Sequence, residues 1–240
     1  MEVLIKFGME EKFIPNDEGQ IHTLWQPLKN TAFILMIPGM FGVAEDCKEE
    51  FASLTQYSLA AMSVRGRGKS TRAFVSYTFH SQVSDVLAVI DSCPDENIIL
   101  FAHSFGCLFA VAACEKRIDR IAGLILVDKG LIQNNISDQW LQRVVESPPQ
   151  NSSIEIARKI HDEFSPVDLS GVFKSLNKPT LYFKGEKEGH ALQEQEAKEL
   201  EKLPNVQMVR LNESGHWPSE SDYDTFIYKI QKFVASLGVQ

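Results

Sequence analysis

Residues 97 to 107 read NIILFAHSFGC, and LFAVAACEKR follows at 108 to 117. Asn97 to Ala102 is a short, apolar, β-rich run, and Phe105 to Arg117 has the composition of a buried helix. Only His103 and Ser104 separate them, so the chain must reverse its direction at the serine with no ordinary loop. Small residues at 102 and 106, Ala102 and Gly106, allow strand and helix to approach closely at that corner. A serine so placed presents its oxygen above the end of a strand, with the free N–H groups of a helix beside any negative charge that develops.

Similar short apolar runs recur at 2–7, 21–26, 32–37, 58–64, 97–102, 121–127, 179–184 and 206–211. From the fourth onward helical patterns intervene, as at 79–93, 191–203 and 222–237. Apolar strands alternating with helices predict a mainly parallel eight-stranded sheet with helices on both faces. The first three runs are joined by short polar links and predict an antiparallel start. Between about 131 and 178 the rhythm breaks, and two helix-like stretches, 137–147 and 153–164, flank the loop PPQNSS. That pattern predicts one α/β domain over 1–240 carrying a small lid insertion.

A net charge of −8 argues against a nucleic-acid partner, whose phosphates it would repel. No apolar run is long enough to cross a bilayer, and the first residues lack the features of a signal peptide, so the expectation is a cytoplasmic protein with no membrane partner. Cys47, Cys93, Cys107 and Cys114 show no metal-ligand spacing, which favours free thiols and no metal. The basic stretch RGRGKSTR (65–72) approaches a phosphate-binding loop. Ser63 stands where such a loop needs its first glycine, and the residues after Ser70 are β-rich instead of opening a helix. No dinucleotide fingerprint follows a strand, so no cofactor is expected.

AHSFG resembles the nucleophile elbow of the α/β-hydrolase family, with alanine replacing the first glycine. Other segments follow in the family's order. MIPGMFG (36–42) is similar to its His-Gly-x-x-Gly turn with Pro38 for the histidine, and SVRGRGKS (63–70) to its Asp-x-Arg-Gly-x-Gly-x-Ser segment with Ser63 for the aspartate. NESGHWPSE (212–220) resembles its histidine loop, and PTLYFKGEKEGH (179–190) its acid loop with Glu188 for the aspartate.

The resemblance implies Ser104 as nucleophile, His216 as base and Glu188 as the acid that orients it. Asp128, at the end of the sixth strand, and Glu186 remain alternative acids. It further implies an oxyanion hole from the backbone amides of Met40 and Phe105. Phe41 and Trp217 flank these groups as an apolar mouth or as packing residues, and His103 is expected to point sideways.

Because the nucleophile is serine and not the aspartate of haloalkane dehalogenases and epoxide hydrolases, the implied chemistry is acyl transfer. The expected partner is a small-molecule carboxylic ester or thioester, with a carbon–carbon bond beside a ketone as a third option. The alternative is a catalytically weak member of the fold that binds a small ligand or a partner protein.

Overall fold

The computed structural model describes residues 9–29, 31–73 and 75–239. Eight strands form one sheet: β1 (Glu10–Asn16), β2 (Gly19–Gln26), β3 (Phe33–Ile37), β4 (Ser58–Met62), β5 (Ile98–His103), β6 (Ile121–Val127), β9 (Thr180–Gly185) and β10 (Val206–Leu211). Their spatial order is β1-β2-β4-β3-β5-β6-β9-β10. The pairs β1–β2 and β2–β4 are antiparallel, and every later pair is parallel.

The sheet opens differently from the expectation. The run at 2–7 lies outside the described residues, and the first described strand is Glu10–Asn16, whose charges and Pro15 conceal it in the sequence. Among the described residues β1 is the edge strand of the sheet, a position where proline is tolerated. The Asn16 carboxamide closes the hairpin by accepting from the amides of Glu18 (3.0 Å) and Gly19 (2.8 Å). The third run does not continue the antiparallel start. It lies between β4 and β5 and is parallel to both, because β2 pairs with β4 instead.

Helices cover both faces: α1 (Lys48–Ser53), α2 (Phe79–Ser92), α3 (Phe105–Lys116), α4 (Asp138–Glu146), α5 (Ile154–Glu163), α6 (Ser170–Leu176), α7 (Glu194–Glu201) and α8 (Glu220–Ser236). Helix α3 is buried from Phe105 through Cys114, as an all-round apolar sequence requires. It lies against the same sheet face as α2, whose Val83, Val86 and Ile90 join its core, while Phe226, Ile230 and Phe233 of α8 cover the other face with Phe51 of α1. Threonine and serine caps mark three helix starts: Thr78, Ser137 and Ser153 accept from the amides of Ser81, Trp140 and Ile156.

The stretch after β6 holds α4 and α5 as expected, and it also holds a two-residue ribbon and α6. The ribbon pairs β7 (Ile132–Gln133) antiparallel with β8 (Val167–Asp168), tying the two ends of the excursion together. Two-residue strands carry too few residues for alternation to reveal them. Among the described residues no helix is long and apolar enough to cross a membrane. The four cysteines are free.

Candidate active site

Three polar side chains gather beyond the carboxyl ends of parallel strands, where ligands of open α/β sheets bind. Ser104 follows β5, Asp128 follows β6, and His216 lies in the loop after β10. Ladder pairing sets their spacing: the Ser104 amide donates to the Val127 carbonyl at 2.9 Å, and the Asp128 amide to the Phe183 carbonyl at 2.9 Å.

Ser104 has φ 53° and ψ −129°, a left-handed region that non-glycine residues rarely occupy. This is the sharp corner anticipated from the absence of a loop. It survives because the turn is packed from below. A Cβ at Gly106 would lie 2.5 Å from the carbonyl oxygens of both Ile37 and Pro38, so only glycine lets α3 start this close to the end of β3.

His216 links the other two groups. Its Nε2 is 2.8 Å from Ser104 Oγ, and its Nδ1 is 2.8 Å from Asp128 Oδ2. Asp128 also accepts from the amides of Ala191 (2.6 Å, to Oδ2) and Leu192 (3.3 Å, to Oδ1). Burial pushes its carboxyl up, but the bonds from His216 and the two amides outweigh burial and hold it below the usual carboxylate range. An ionised Asp128 can only accept, so Nδ1 of His216 carries the imidazole proton and Nε2 is free to accept from the serine hydroxyl.

Glu188 does not occupy the position expected for it. It sits on an exposed turn after β9, and its backbone carbonyl, not its carboxylate, comes near the histidine loop, 2.8 Å from where a Cβ on Gly215 would be. Glu186 is also elsewhere, paired with Lys184 (3.1 Å) and Arg210 (2.7 Å). The acid-loop segment instead turns back after Glu188, so that Ala191 and Leu192 point their amides at Asp128. Asp128 itself has φ 48°, which aims its side chain across the strand ends.

Met40 and Phe105, the residues that the resemblance implies for an oxyanion hole, line one cavity with Ser104. The Met40 loop is held by a residue of the basic stretch 65–72. Arg67 is fully buried and donates from Nε to the Met40 carbonyl (2.9 Å), from Nη1 to the Arg65 carbonyl (2.6 Å) and from Nη2 to Gln82 (2.8 Å). Burial lowers its guanidinium to about 10, still charged at neutral pH. The segment RGRGKSTR therefore anchors the turn beside Ser104, and among the described residues no helix follows it until Phe79.

His103 takes part more closely than its expected sideways orientation suggested. Its Nε2 donates to the His216 carbonyl (2.9 Å), and its ring packs 4.6 Å from that of His216 and 4.5 Å from that of Trp217. Burial pushes it down to about 4, so it remains a neutral donor. Phe41 stacks on Trp140 of α4, with centroids 5.6 Å apart, and Trp217 packs on Phe226. Both also line a cavity of about 530 Å³ that opens onto Ser104 and His216, so each is wall and packing residue at once.

The same cavity contains Glu50, only 2% exposed. Burial pushes its carboxyl up to about 7, helped by the charges of Glu49 and Asp46 and opposed by its hydrogen bonds. The folded protein thus holds this proton at pH values where the unfolded chain has lost it, and stability falls as pH rises from about 4.5 to 7. Above that window the cost is complete, about 3 kcal/mol at most. Glu50→Gln is therefore expected to raise Tm by several degrees at pH 8 and by almost nothing at pH 4. Thermal melts at both pH values check this; an equal shift at both would show that the carboxyl titrates normally.

No curated protein matches the chain by sequence. Solved structures do resemble it. An alpha/beta hydrolase from Novosphingobium aromaticivorans superposes with TM-score 0.77 at 19% identity, covering 95% of this chain and 98% of its own. The carboxylesterase CesB of Bacillus subtilis gives 0.74 at 14% identity, over 98% and 99%. A thioesterase domain from the curacin biosynthetic pathway gives 0.74 at 18% identity, over 95% and 99%. A deformylase and a haloalkane dehalogenase share the architecture too, so these likenesses establish the fold and leave the reaction open. The model of the alpha/beta hydrolase fold matches residues 33–162, more than half the chain, taking in the Met40 turn, Ser104 and Asp128. By that match and this architecture, the chain belongs to the α/β-hydrolase family.

Proposed function

We propose that this protein is a serine hydrolase that cleaves a small-molecule carboxylic ester or thioester through an acyl-enzyme on Ser104. The observation that carries this reading is the unbroken Asp128–His216–Ser104 hydrogen-bond chain beneath an open cavity. His216 Nε2 takes the Ser104 proton as Oγ forms a bond to the acyl carbon. The carbonyl π electrons move to oxygen, and the amides of Met40 and Phe105 stabilise that oxyanion. The oxyanion collapses, the bond to the leaving group breaks, and His216 returns its proton to the departing alcohol or thiol. Water then repeats the sequence, releasing the acid and restoring Ser104. Asp128 stays ionised throughout and stabilises the imidazolium formed at each step.

In this reading residues 131–178 act as the lid of a single domain. Trp140 meets Phe41 above the serine, and the apolar mouth offers a wall for the acyl group. The mechanism needs no metal or cofactor, and the protein acts in the cytoplasm. The test mixes the protein with short p-nitrophenyl esters and acyl thioesters, quenches the reaction early, and looks by peptide mass spectrometry for the acyl group on Ser104. Acylation of Ser104 with release of the acid is the expected result. Binding without adduct or acid product, even at high protein concentration, would identify a ligand-binding member of the fold instead.

A further inference from the structure

We propose that the cavity beside Ser104 receives an amine-bearing arm of the substrate, whose ammonium group pairs with the Glu50 carboxylate. This rests on Ser104 being the nucleophile and adds what the substrate carries. Two cavities meet at Ser104 and His216, and their linings are opposite in charge. The larger, about 530 Å³, has the apolar walls Met36, Pro38, Phe101 and Trp217, and its charged side chains are Asp46 and Glu50, with no lysine or arginine. The smaller, about 320 Å³ and against α4, is lined by Lys129 and Arg143, with no aspartate or glutamate.

Glu50 is the feature that the fold does not explain. It is withdrawn from water, yet its side-chain partner is the Tyr223 hydroxyl, donating over a long 3.4 Å. The groups that face it are Asp46 and Cys47 from the turn before α1, Glu49 from α1 itself and Tyr223 from α8, each acidic or neutral. No cation pairs with it among the described residues. A buried carboxylate without a cation is costly, and either a proton or a ligand's positive charge relieves it. Burial, which pushes its carboxyl up to about 7, favours the proton in the free protein. An ammonium on a substrate arm entering from Ser104 would replace that proton and add a charge-assisted hydrogen bond, while methylenes of the arm meet the apolar wall.

The test uses pairs of alkylboronic acids with arms of three to six carbons, each ending either in methyl or in an isosteric ammonium. Ser104 Oγ adds to the trigonal boron, its proton passes to His216, and no group leaves. Dissociation constants are measured by calorimetry from pH 5.5 to 8.5 for the wild type, Glu50→Gln and Ser104→Ala. At the arm length that reaches Glu50, the ammonium form is expected to bind about tenfold or more tightly than the methyl form at pH 8.5. That preference should shrink toward pH 5.5 and vanish in Glu50→Gln.

Methyl forms binding as tightly as ammonium forms at every length in the wild type would overturn the proposal. So would a preference that persists in Glu50→Gln. Failure of every boronate in the wild type, with Ser104→Ala behaving identically, would overturn the nucleophile itself and this inference with it. Should Glu50→Gln not fold, the pH dependence of the wild-type ratio decides the matter.

Discussion

Ser104→Ala is expected to lower kcat/KM by about 10⁵-fold and to abolish labelling by a fluorophosphonate probe. The loss is chemical, since the folded chain should persist. Alanine removes the one oxygen that His216 Nε2 meets at 2.8 Å, and its Cβ occupies the same space above Gly39. Backbone strain at φ 53° is shared by serine and alanine, so the melting temperature should move little. Residual turnover from the Met40 and Phe105 amides would remain measurable, because those donors do not depend on the side chain. A variant that keeps full activity and full labelling would remove Ser104 from the chemistry and leave the cavity as a binding site.

Asp128→Asn is expected to cost about 10³ to 10⁴ in kcat, and Glu188→Gln less than twofold. The asymmetry follows from what each carboxylate touches. Asp128 accepts from His216 Nδ1 and from two backbone amides, and an asparagine side chain has one acceptor oxygen where three donors converge. Its amide nitrogen would face either the imidazole or a backbone N–H, and the tautomer that frees Nε2 would be lost. The pH dependence carries a sign as well. Because the Asp128 carboxyl is held below its ordinary range, its stabilising contribution is fully present above the unfolded value near 3.9 and is lost as pH falls through the lower folded value. Parallel kinetics of the two variants with one ester settle which acid orients His216: a large loss in Glu188→Gln with none in Asp128→Asn would reverse the assignment.

The misplacement of the acid shows where reasoning from sequence stops. PTLYFKGEKEGH carries the family spacing, and Gly185 serves the purpose that spacing implies: a Cβ there would lie 1.9 Å from the Gly215 carbonyl, so the strand end and the histidine loop meet only at glycine. The path of the loop after Gly185 depends on contacts far away in the chain. It turns outward at Glu188 and returns at Ala191 because a carboxylate from β6 is already there to accept its amides. A sequence signal for this existed in LILVD, a strand ending in aspartate next to the nucleophile's strand, but the same letters also suit an acid that merely ends a strand.

By itself the sequence determined the sharp corner at Ser104, the alternation of strands and helices from the fourth apolar run onward, and the place of His216 in a loop after the last strand. Each depends on neighbours in the chain: an apolar strand, a serine between small residues, an apolar helix, and a glycine-led histidine loop after the last strand. The tertiary structure alone decided which carboxylate meets His216, the anchoring of the Met40 turn by Arg67, the donor role of His103 and the elevated proton affinity of Glu50. These arise between residues tens of positions apart, brought together by the ladder of β5, β6 and β9 and by the packing of α1 against the sheet. Hydrogen-bond partners and desolvation are properties of that assembled neighbourhood, and they have no counterpart in local spacing.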